Sequence, residues 1–285
     1  MAEYNKRTPH VTLNLENMKS LLLVPFTFYP FINFAIAPKA DYIATPKEVN
    51  IEYKELFIER NNVKICVWIC EPNQERLEKS QSKTILLAYG DYGNMSYYLS
   101  SISFYTKLGF TVISFDYRGF GKSSSFNINS NRLFYEEFAI DMKTVISYCK
   151  SELGINNLGI VALSMGTIVT PIALQGENAE FIIAEGCIYD INTCLERLKQ
   201  IKKRDIVVDT KYDLSKEWSK IKSKILIFVA SKDEITNLED AQKIVLQDTS
   251  KRNLLIYKGD HLSMLLDETN VENYKNKISL FVNRN

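Results

Sequence analysis

Short apolar segments with strand character alternate with longer amphipathic segments from about residue 52 to the end of the chain. Strands that alternate with helices in this way assemble into a mostly parallel sheet, and the helices cover both of its faces. The pattern therefore predicts an α/β fold with one domain at 52–285. A chain of 285 residues, of which 46% are hydrophobic, is long enough to bury a core of this kind.

The predicted elements follow from the spacing of the apolar residues. The predicted strands are Leu56–Glu59, Val63–Cys70, Thr84–Tyr89, Thr111–Asp116, Leu158–Leu163, Phe181–Ala184, Ile225–Val229 and Asn253–Tyr257. Asn61-Asn62 between the first two strands is typical of a hairpin turn. The predicted helices are Met95–Leu108, Leu133–Lys150, a helix from Met165, Leu238–Gln247 and a helix from Val271. The apolar residues of the second helix are Phe134, Phe138, Ile140, Val145 and Ile146.

Charge and cysteine content exclude several function classes. The 35 Lys+Arg residues nearly balance the 34 Asp+Glu residues, so no basic excess is available for non-specific binding of nucleic acid. None of the five cysteines forms a C-x-x-C pair, and the chain has only two histidines. We therefore expect no disulfide framework, no structural zinc and no multi-histidine metal site. A reducing compartment, and hence a cytoplasmic location, is the default expectation.

Residues 1–51 precede the regular pattern and form a predicted N-terminal leader segment. Within it, residues 20–38 carry no charge, and their length approaches that of a membrane span. Pro25 and Pro30 would each interrupt a spanning helix. Three arrangements stay open: a segment packed on the domain, an anchor in peripheral contact with a membrane surface, and a true span.

The segment Gly159-Ile-Val-Ala-Leu-Ser164-Met-Gly166 places a serine where a buried strand turns sharply into a helix. Ala162 and Gly166 are the small residues that such a turn requires two positions to either side. The turn lifts the hydroxyl of Ser164 above the sheet, and the helix N-terminus directs backbone N–H groups towards negative charge that develops nearby. A serine that only caps the helix is the alternative interpretation of this segment taken alone.

Two further candidate residues follow later predicted strands. Asp233 comes after the strand Ile225–Val229, and His261 comes after the strand Asn253–Tyr257. The carboxyl ends of parallel strands lie at one edge of the sheet, so we expect both residues to converge on Ser164. A surface histidine at a strand end is the alternative for His261.

These residues carry a resemblance. Residues 52 to 282 resemble the α/β-hydrolase superfamily of serine esterases, thioesterases and lipases. The matching segments are Leu-Ala-Tyr-Gly90-Asp-Tyr-Gly93-Asn94, Asp116-Tyr-Arg-Gly-Phe-Gly-Lys-Ser123, the Ser164 turn and the two downstream loops, in the order Ser, Asp, His. The resemblance implies the α/β-hydrolase fold, with a mostly parallel central sheet, helices on both faces and a short lid insertion of one or two helices at about 187–223.

The resemblance also implies roles for individual residues. Ser164 would be the nucleophile, His261 the general base and Asp233 the residue that orients His261. The backbone N–H groups of Asp91 and Met165 would form the oxyanion hole. No metal or redox cofactor is implied.

The sequence departs from the family pattern at several positions. Tyr89 stands where the family usually has a histidine, and Ala162 replaces the first glycine of G-x-S-x-G. The carboxylate of Asp91 would repel a forming oxyanion unless it is turned away. Pro171 lies inside the predicted helix after Ser164 and is expected to kink it. Glu185, at the end of the preceding strand, is the alternative acid if Asp233 is displaced.

The glycine-rich segment Gly119-Phe-Gly121-Lys122-Ser123 is similar to the end of a phosphate-binding P-loop. That motif needs a glycine where Asp116 stands. We therefore expect these glycines to shape the turn after the strand, with Asp116 and Arg118 making structural contacts.

The predicted function is that of a serine hydrolase, either a carboxylesterase or an acyl thioesterase. It would cleave a small-molecule acyl ester or thioester, including an acyl group on a carrier, through an acyl-enzyme on Ser164. A non-catalytic binding or scaffold protein with the same fold is the alternative, which the residues at Tyr89 and Asp91 permit.

Overall fold

The fold is taken from a computed structural model, which describes residues 35–72, 83–175, 177–203 and 205–283. Most of the uncharged stretch 20–38 therefore lies outside the described residues, and its three possible arrangements stay open there. Within the described ranges, no helix is long and apolar enough to cross a membrane.

An eight-stranded sheet forms the centre of the molecule. The strands of the structure are β1 (Ala37–Pro38), β2 (Tyr53–Arg60), β3 (Val63–Cys70), β4 (Thr84–Ala88), β5 (Tyr92–Gly93), β6 (Thr111–Phe115), β7 (Leu158–Leu163), β8 (Phe181–Glu185), β9 (Lys224–Ala230) and β10 (Arg252–Tyr257). The order across the large sheet is β10-β9-β8-β7-β4-β6-β3-β2, while β1 and β5 form a separate two-stranded sheet. The prediction of a mostly parallel α/β sheet is confirmed.

Only the β2–β3 and β3–β6 pairs of the large sheet are antiparallel. The β2–β3 pair is the predicted hairpin. Asn61 (φ +51°) and Asn62 (φ +63°) both adopt left-handed backbone conformations at its turn. Two such residues form a type I′ turn, whose twist matches that of the flanking strands, and asparagine tolerates this conformation better than most residues.

The helices cover both faces of the sheet, as crossover connections between parallel strands require. They are α1 (Leu99–Lys107), α2 (Glu136–Ser151), α3 (Gly166–Ala173), α4 (Ile191–Lys202), α5 (Leu214–Lys220), α6 (Leu238–Leu246) and α7 (Val271–Asn283). Two predicted helices begin later than expected, because Met95–Tyr98 is a 3₁₀ turn and α2 starts at Glu136. Ile140 of α2 is 54% exposed, so its assignment to the apolar face was wrong.

The segment at about 187–223 contains two helices. Asp190 caps the first, α4, by accepting a hydrogen bond from the backbone N–H of Thr193 at 2.7 Å. The second, α5, carries Trp218, which is fully buried and donates from its indole nitrogen to the carbonyl of Ile188 at 3.0 Å. Burial of one large side chain stabilises a fold by about 2–3 kcal/mol, so α5 is an integral part of the body of the domain.

Candidate active site

Ser164 sits at the turn between β7 and α3 with a φ of +51°, in the left-handed region that non-glycine residues seldom adopt. The surrounding structure holds it there: its N–H donates to the carbonyl of Glu185 at 2.9 Å. A Cβ atom on Gly166 would lie 2.0 Å from the carbonyl oxygen of Ala88, so only glycine fits there. The strained turn that the sequence predicts is therefore present, and it packs tightly against the end of β4.

Ala162 shows why the first glycine of the motif is dispensable here. It pairs in register with Ala88 on one side and with Ala184 on the other. Both neighbours carry only a methyl group, so the additional methyl group of Ala162 is accommodated within the buried sheet.

The three candidate catalytic residues form one hydrogen-bonded row. Nε2 of His261 lies 2.9 Å from Oγ of Ser164, and Nδ1 of the same ring lies 2.6 Å from Oδ2 of Asp233. The loops after β9 and β10 carry Asp233 and His261 to the same sheet edge as Ser164. The convergence expected from strand order is therefore present in the fold.

A tight turn fixes the Asp233 carboxylate. Its Oδ1 accepts hydrogen bonds from the backbone N–H groups of Ile235 at 3.0 Å and Thr236 at 2.9 Å. The Thr236 hydroxyl donates to Oδ2. Burial raises the pKa of Asp233, but the attraction of His261 and these hydrogen bonds outweigh burial and leave the pKa below its usual range. Asp233 is therefore ionised at neutral pH.

The charge of Asp233 acts in turn on the imidazole. Burial lowers the pKa of His261, but the attraction and hydrogen bond of Asp233 outweigh it and raise the pKa above the ordinary histidine value. The carboxylate of Asp91 makes a further, smaller contribution in the same direction.

Glu185, the alternative acid, occupies a different place. Its Oε1 accepts hydrogen bonds from the hydroxyl of Tyr257 at 2.6 Å and from the backbone N–H of Met264 at 3.1 Å. Burial raises the pKa of Glu185 above its usual range. Because Asp233 is bonded directly to His261, the fold does not require Glu185 as the acid. Glu185 instead holds together the two ends of the loop that carries His261, because it is bonded to Tyr257 before the loop and to Met264 after it.

The oxyanion-hole candidates lie on two adjoining turns. Met165 follows Ser164 directly, at the N-terminal end of α3. Asp91 lies in the turn after β4, and the start of α3 packs closely on the end of that strand at Ala88 and Tyr89. Their backbone N–H groups are the candidate oxyanion donors.

Asp116 has the structural role expected of it. The buried carboxylate accepts hydrogen bonds from the Tyr89 hydroxyl at 3.1 Å and from the backbone N–H groups of Met95 at 2.9 Å and Lys122 at 3.1 Å. A Cβ atom on Gly121 would lie 1.9 Å from this carboxylate. The glycine therefore makes room for Asp116, which excludes the P-loop interpretation. Tyr89 supplies a hydrogen bond to Asp116 from the position of the usual histidine.

Comparison with known proteins identifies the family of this chain. The family model described as acyl transferase matches residues 53–254, more than half of the chain. This chain belongs to the acyl transferase family. Two relatives are the proteins YfhR of Escherichia coli O157:H7 and of Escherichia coli K12, both described as uncharacterized. Each is 25% identical to this chain over 272 residues, which cover 92% of this chain and 90% of YfhR.

Solved structures show the fold of this acyl transferase family member. The esterase Pf2001 of Pyrococcus furiosus superposes with a TM-score of 0.71 at 18% identity, over 87% of this chain and 97% of the esterase. An α/β serine hydrolase homologue of Coxiella burnetii gives 0.57 at 16% identity, over 85% of this chain and 98% of the homologue. A lidless α/β serine hydrolase of Xanthomonas campestris gives 0.57 at 12% identity, over 85% of this chain and 96% of that protein. The predicted α/β-hydrolase superfamily and fold are confirmed.

Sequence reasoning missed Thr236 in this acyl transferase family member. Its hydroxyl lies 3.1 Å from Nδ1 of His261 and also donates to Asp233. The sequence does contain a signal for this contact, because Asp233 and Thr236 are three positions apart after a strand. That spacing is typical of a turn in which the aspartate side chain accepts hydrogen bonds from the following residues. Gly186 was also missed: a Cβ atom there would lie 2.8 Å from Cε1 of His261.

The described ranges of the chain contain no group of three or more His, Cys, Asp or Glu residues that would hold a metal ion. All five cysteines are buried and have free thiols rather than disulfide bonds: Cys66, Cys70, Cys149, Cys187 and Cys194. Burial raises the pKa of Cys66, Cys70, Cys149 and Cys194 to about 12. These thiols are consequently protonated and poor nucleophiles at neutral pH.

Proposed function

We propose that this protein is a serine hydrolase that cleaves an acyl ester or thioester through an acyl-enzyme on Ser164. The observation that carries the proposal is the row from Ser164 through His261 to Asp233, with distances of 2.9 and 2.6 Å. These lie within the range that proton transfer requires. A serine that only capped α3 would not need a histidine on its hydroxyl.

In the acylation step, Oγ of Ser164 attacks the carbonyl carbon of the substrate, and Nε2 of His261 accepts the hydroxyl proton. The backbone N–H groups of Asp91 and Met165 stabilise the negative charge that develops on the carbonyl oxygen. The tetrahedral intermediate collapses by breaking the bond to the leaving alcohol or thiol. His261 returns its proton to that leaving group, and the acyl group stays on Ser164.

In the deacylation step, His261 removes a proton from a water molecule, whose oxygen attacks the acyl carbon. The same two backbone donors stabilise the second oxyanion. Its collapse releases the carboxylic acid and restores the Ser164 hydroxyl with the proton held by His261. The ionised Asp233 stabilises the imidazolium that forms transiently in both steps.

The comparisons support a hydrolase at a coarse level. The structural neighbours include an esterase and serine hydrolases, which favours a small-molecule ester as substrate. The family description favours acyl groups, and a thioester or a carrier-bound acyl group is a narrower form of the same proposal. We also propose that the segment at about 187–223 covers the bound substrate while α5 fixes it to the body of the domain, and that any membrane contact of the stretch 20–38 is made by its residues before Ala35.

A fluorophosphonate probe tests the activated serine directly. We expect covalent labelling of the full-length protein and loss of labelling in Ser164→Ala and His261→Ala. Ser147→Ala, a serine substitution on α2 outside the site, is the matched control and keeps full labelling. Folded wild-type protein that neither reacts with the probe nor turns over esters and thioesters would support the binding or scaffold alternative instead.

Transfer of the acyl group to an acceptor other than water is a second candidate, which the family description favours. The first step is the same, and an acceptor alcohol or amine replaces water in the second. Matched acyl esters and acyl thioesters of several chain lengths, with and without added alcohol, separate the candidates. Free acid as the sole product indicates a hydrolase, a new ester indicates a transferase, and equal rates for both substrate types exclude a preference for thioesters.

A further inference from the structure

The described chain begins with residues 35–43, which we call the N-terminal strap. The strap belongs to no layer of the main fold, yet it is bonded to two loops at the sheet edge that holds the active site, of which the first is the connection between β6 and α2. The backbone N–H of Ala35 donates to the carbonyl of Ser130 at 2.9 Å, and the N–H of Gly121 donates to the carbonyl of Lys39 at 2.9 Å. The second loop is the turn that carries Asp91.

Backbone hydrogen bonds join the strap to that turn. The N–H of Ala37 donates to the carbonyl of Asp91 at 2.9 Å, and the N–H of Lys39 donates to the carbonyl of Gly93 at 2.8 Å. These bonds form the parallel β1–β5 pair, in which Ala37 lies opposite Tyr92. The strap therefore holds the peptide group that joins Asp91 to Tyr92 and the one that joins Gly93 to Asn94.

Side chains of the turn hold the strap in return. The amide nitrogen Nδ2 of Asn94 donates to the carbonyls of Lys39 at 3.0 Å and Asp41 at 2.8 Å. The N–H of Ile43 donates to Oγ of Ser96 at 3.0 Å. Asn94 and Ser96 are buried, so these bonds are shielded from competing water.

Tyr42 connects the strap to the buried carboxylate beneath the turn. Its hydroxyl donates to Oδ2 of Asp116 at 2.5 Å. The other oxygen, Oδ1, accepts the Tyr89 hydroxyl and the Met95 N–H, which lie at the two ends of the turn around Asp91. One carboxylate thus links the strap with both ends of that turn.

We propose that the N-terminal strap is a positioning element of the active site, which fixes the main chain at Asp91 for its role as an oxyanion donor. This inference rests on the proposed function. Oxyanion donors stabilise a transition state only when they are fixed in place beforehand, and displacement by about 1 Å can cost a hundredfold in rate. A strap that served only as a cover for the fold would affect stability and leave catalysis unchanged.

Two substitutions in the full-length protein test the strap. Tyr42→Phe removes only the hydroxyl that reaches Asp116, and Ala37→Pro removes the N–H that reaches Asp91. With a chromogenic ester, we expect kcat to fall about tenfold or more in each variant, with KM within about threefold of the wild-type value. Tyr148→Phe, on the half-buried face of α2, is the matched control and keeps the wild-type kcat.

A transition-state analogue separates positioning from stability. A trifluoromethyl ketone forms a tetrahedral adduct with the serine and places its oxyanion in the hole, so its affinity should fall by the same factor as kcat. Loss of kcat without loss of this affinity, or wild-type values of both in the folded variants, would overturn the proposal. If Ala37→Pro does not fold, Tyr42→Phe decides alone, because it removes a single oxygen atom.

The wild-type protein and Ser164→Ala distinguish this result from a failure of the proposed function. If the wild type turns over the ester and Ser164→Ala does not, the strap variants test the strap alone. If the wild type forms no acyl-enzyme, the proposed function fails and the strap proposal fails with it.

Discussion

Oγ1 of Thr236 lies 3.1 Å from Nδ1 of His261, while its hydroxyl hydrogen bond goes to the carboxylate of Asp233. The threonine therefore contacts both partners of the hydrogen bond between Asp233 and the proposed base. It is 2% exposed, so no water molecule can readily replace its hydroxyl. The orientation of Asp233 depends on this contact as well as on two backbone N–H groups.

Replacement of Thr236 by valine keeps its shape and removes its hydroxyl. We expect Thr236→Val to lower kcat about tenfold, because one hydrogen bond to a charged group contributes about 1.5 kcal/mol. Thr236→Ser should restore most of the rate. Thr144→Val on α2 is the control for a buried threonine away from the site. Wild-type kcat in Thr236→Val would show that the backbone N–H groups suffice to orient Asp233.

The raised pKa of His261 predicts the acidic limb of the pH–rate profile. His261 must be neutral to accept a proton, so activity is lost as the pH falls through its pKa, which lies above the ordinary value of 6.5. The half-maximal point of kcat/KM should therefore lie above pH 6.5. A half-maximal point at or below pH 6.5 would contradict the conclusion that Asp233 raises the pKa of His261 by more than burial lowers it.

Asp91→Asn removes one of the negative charges that raise this pKa. The pKa of His261 should fall, and the acidic limb of kcat/KM should move to lower pH. Glu59→Gln, an exposed carboxylate on β2 at the opposite edge of the sheet from β10, is the control and should leave the limb where it is. The full pH profile of each variant, measured at constant ionic strength, checks the prediction. An unmoved limb in Asp91→Asn would place the carboxylate too far from the imidazole.

Gly166→Ala should damage the serine turn. The new methyl carbon would lie 2.0 Å from the carbonyl oxygen of Ala88, so α3 has to move away from β4. We expect a loss of about 1–3 kcal/mol in the free energy of unfolding and a fall in kcat from the displacement of Ser164. Gly154→Ala is the control, because a methyl group there meets open space. It should lower the free energy of unfolding only through backbone strain at φ +66° and leave kcat unchanged. Denaturant unfolding and ester turnover measure the two effects separately.

The buried carboxylate of Asp240 on α6 depends on Arg197 of α4. The guanidinium Nη2 lies 2.5 Å from Oδ2 of Asp240, whose side chain is only 1% exposed. Arg197→Ala leaves this carboxylate buried without its cation, and we expect a loss of about 3 kcal/mol in the free energy of unfolding. Arg197→Met together with Asp240→Leu removes both charges and should recover most of it. Equal stability of the single variant and the wild type would contradict this account.

The sequence by itself predicted the order of strands and helices and the positions of Ser164, Asp233 and His261 at strand ends. This was possible because apolar spacing encodes each element locally, and parallel strands bring their carboxyl ends to one edge. Two features were predicted wrongly. Two helices begin later than the sequence indicated, and Ile140, which the periodicity assigned to the apolar face of α2, is exposed. Local spacing does not record which neighbour covers a given helix position.

The tertiary structure decided how groups from distant parts of the chain meet. It showed that Asp233 rather than Glu185 is bonded to His261, that Thr236 joins the same pair, and that the strap is bonded to the turn at Asp91. Each of these contacts depends on the path of loops between separated elements. Hydrogen bonds form over about 3 Å, and no residue pattern along the chain specifies the approach of two loops to that accuracy.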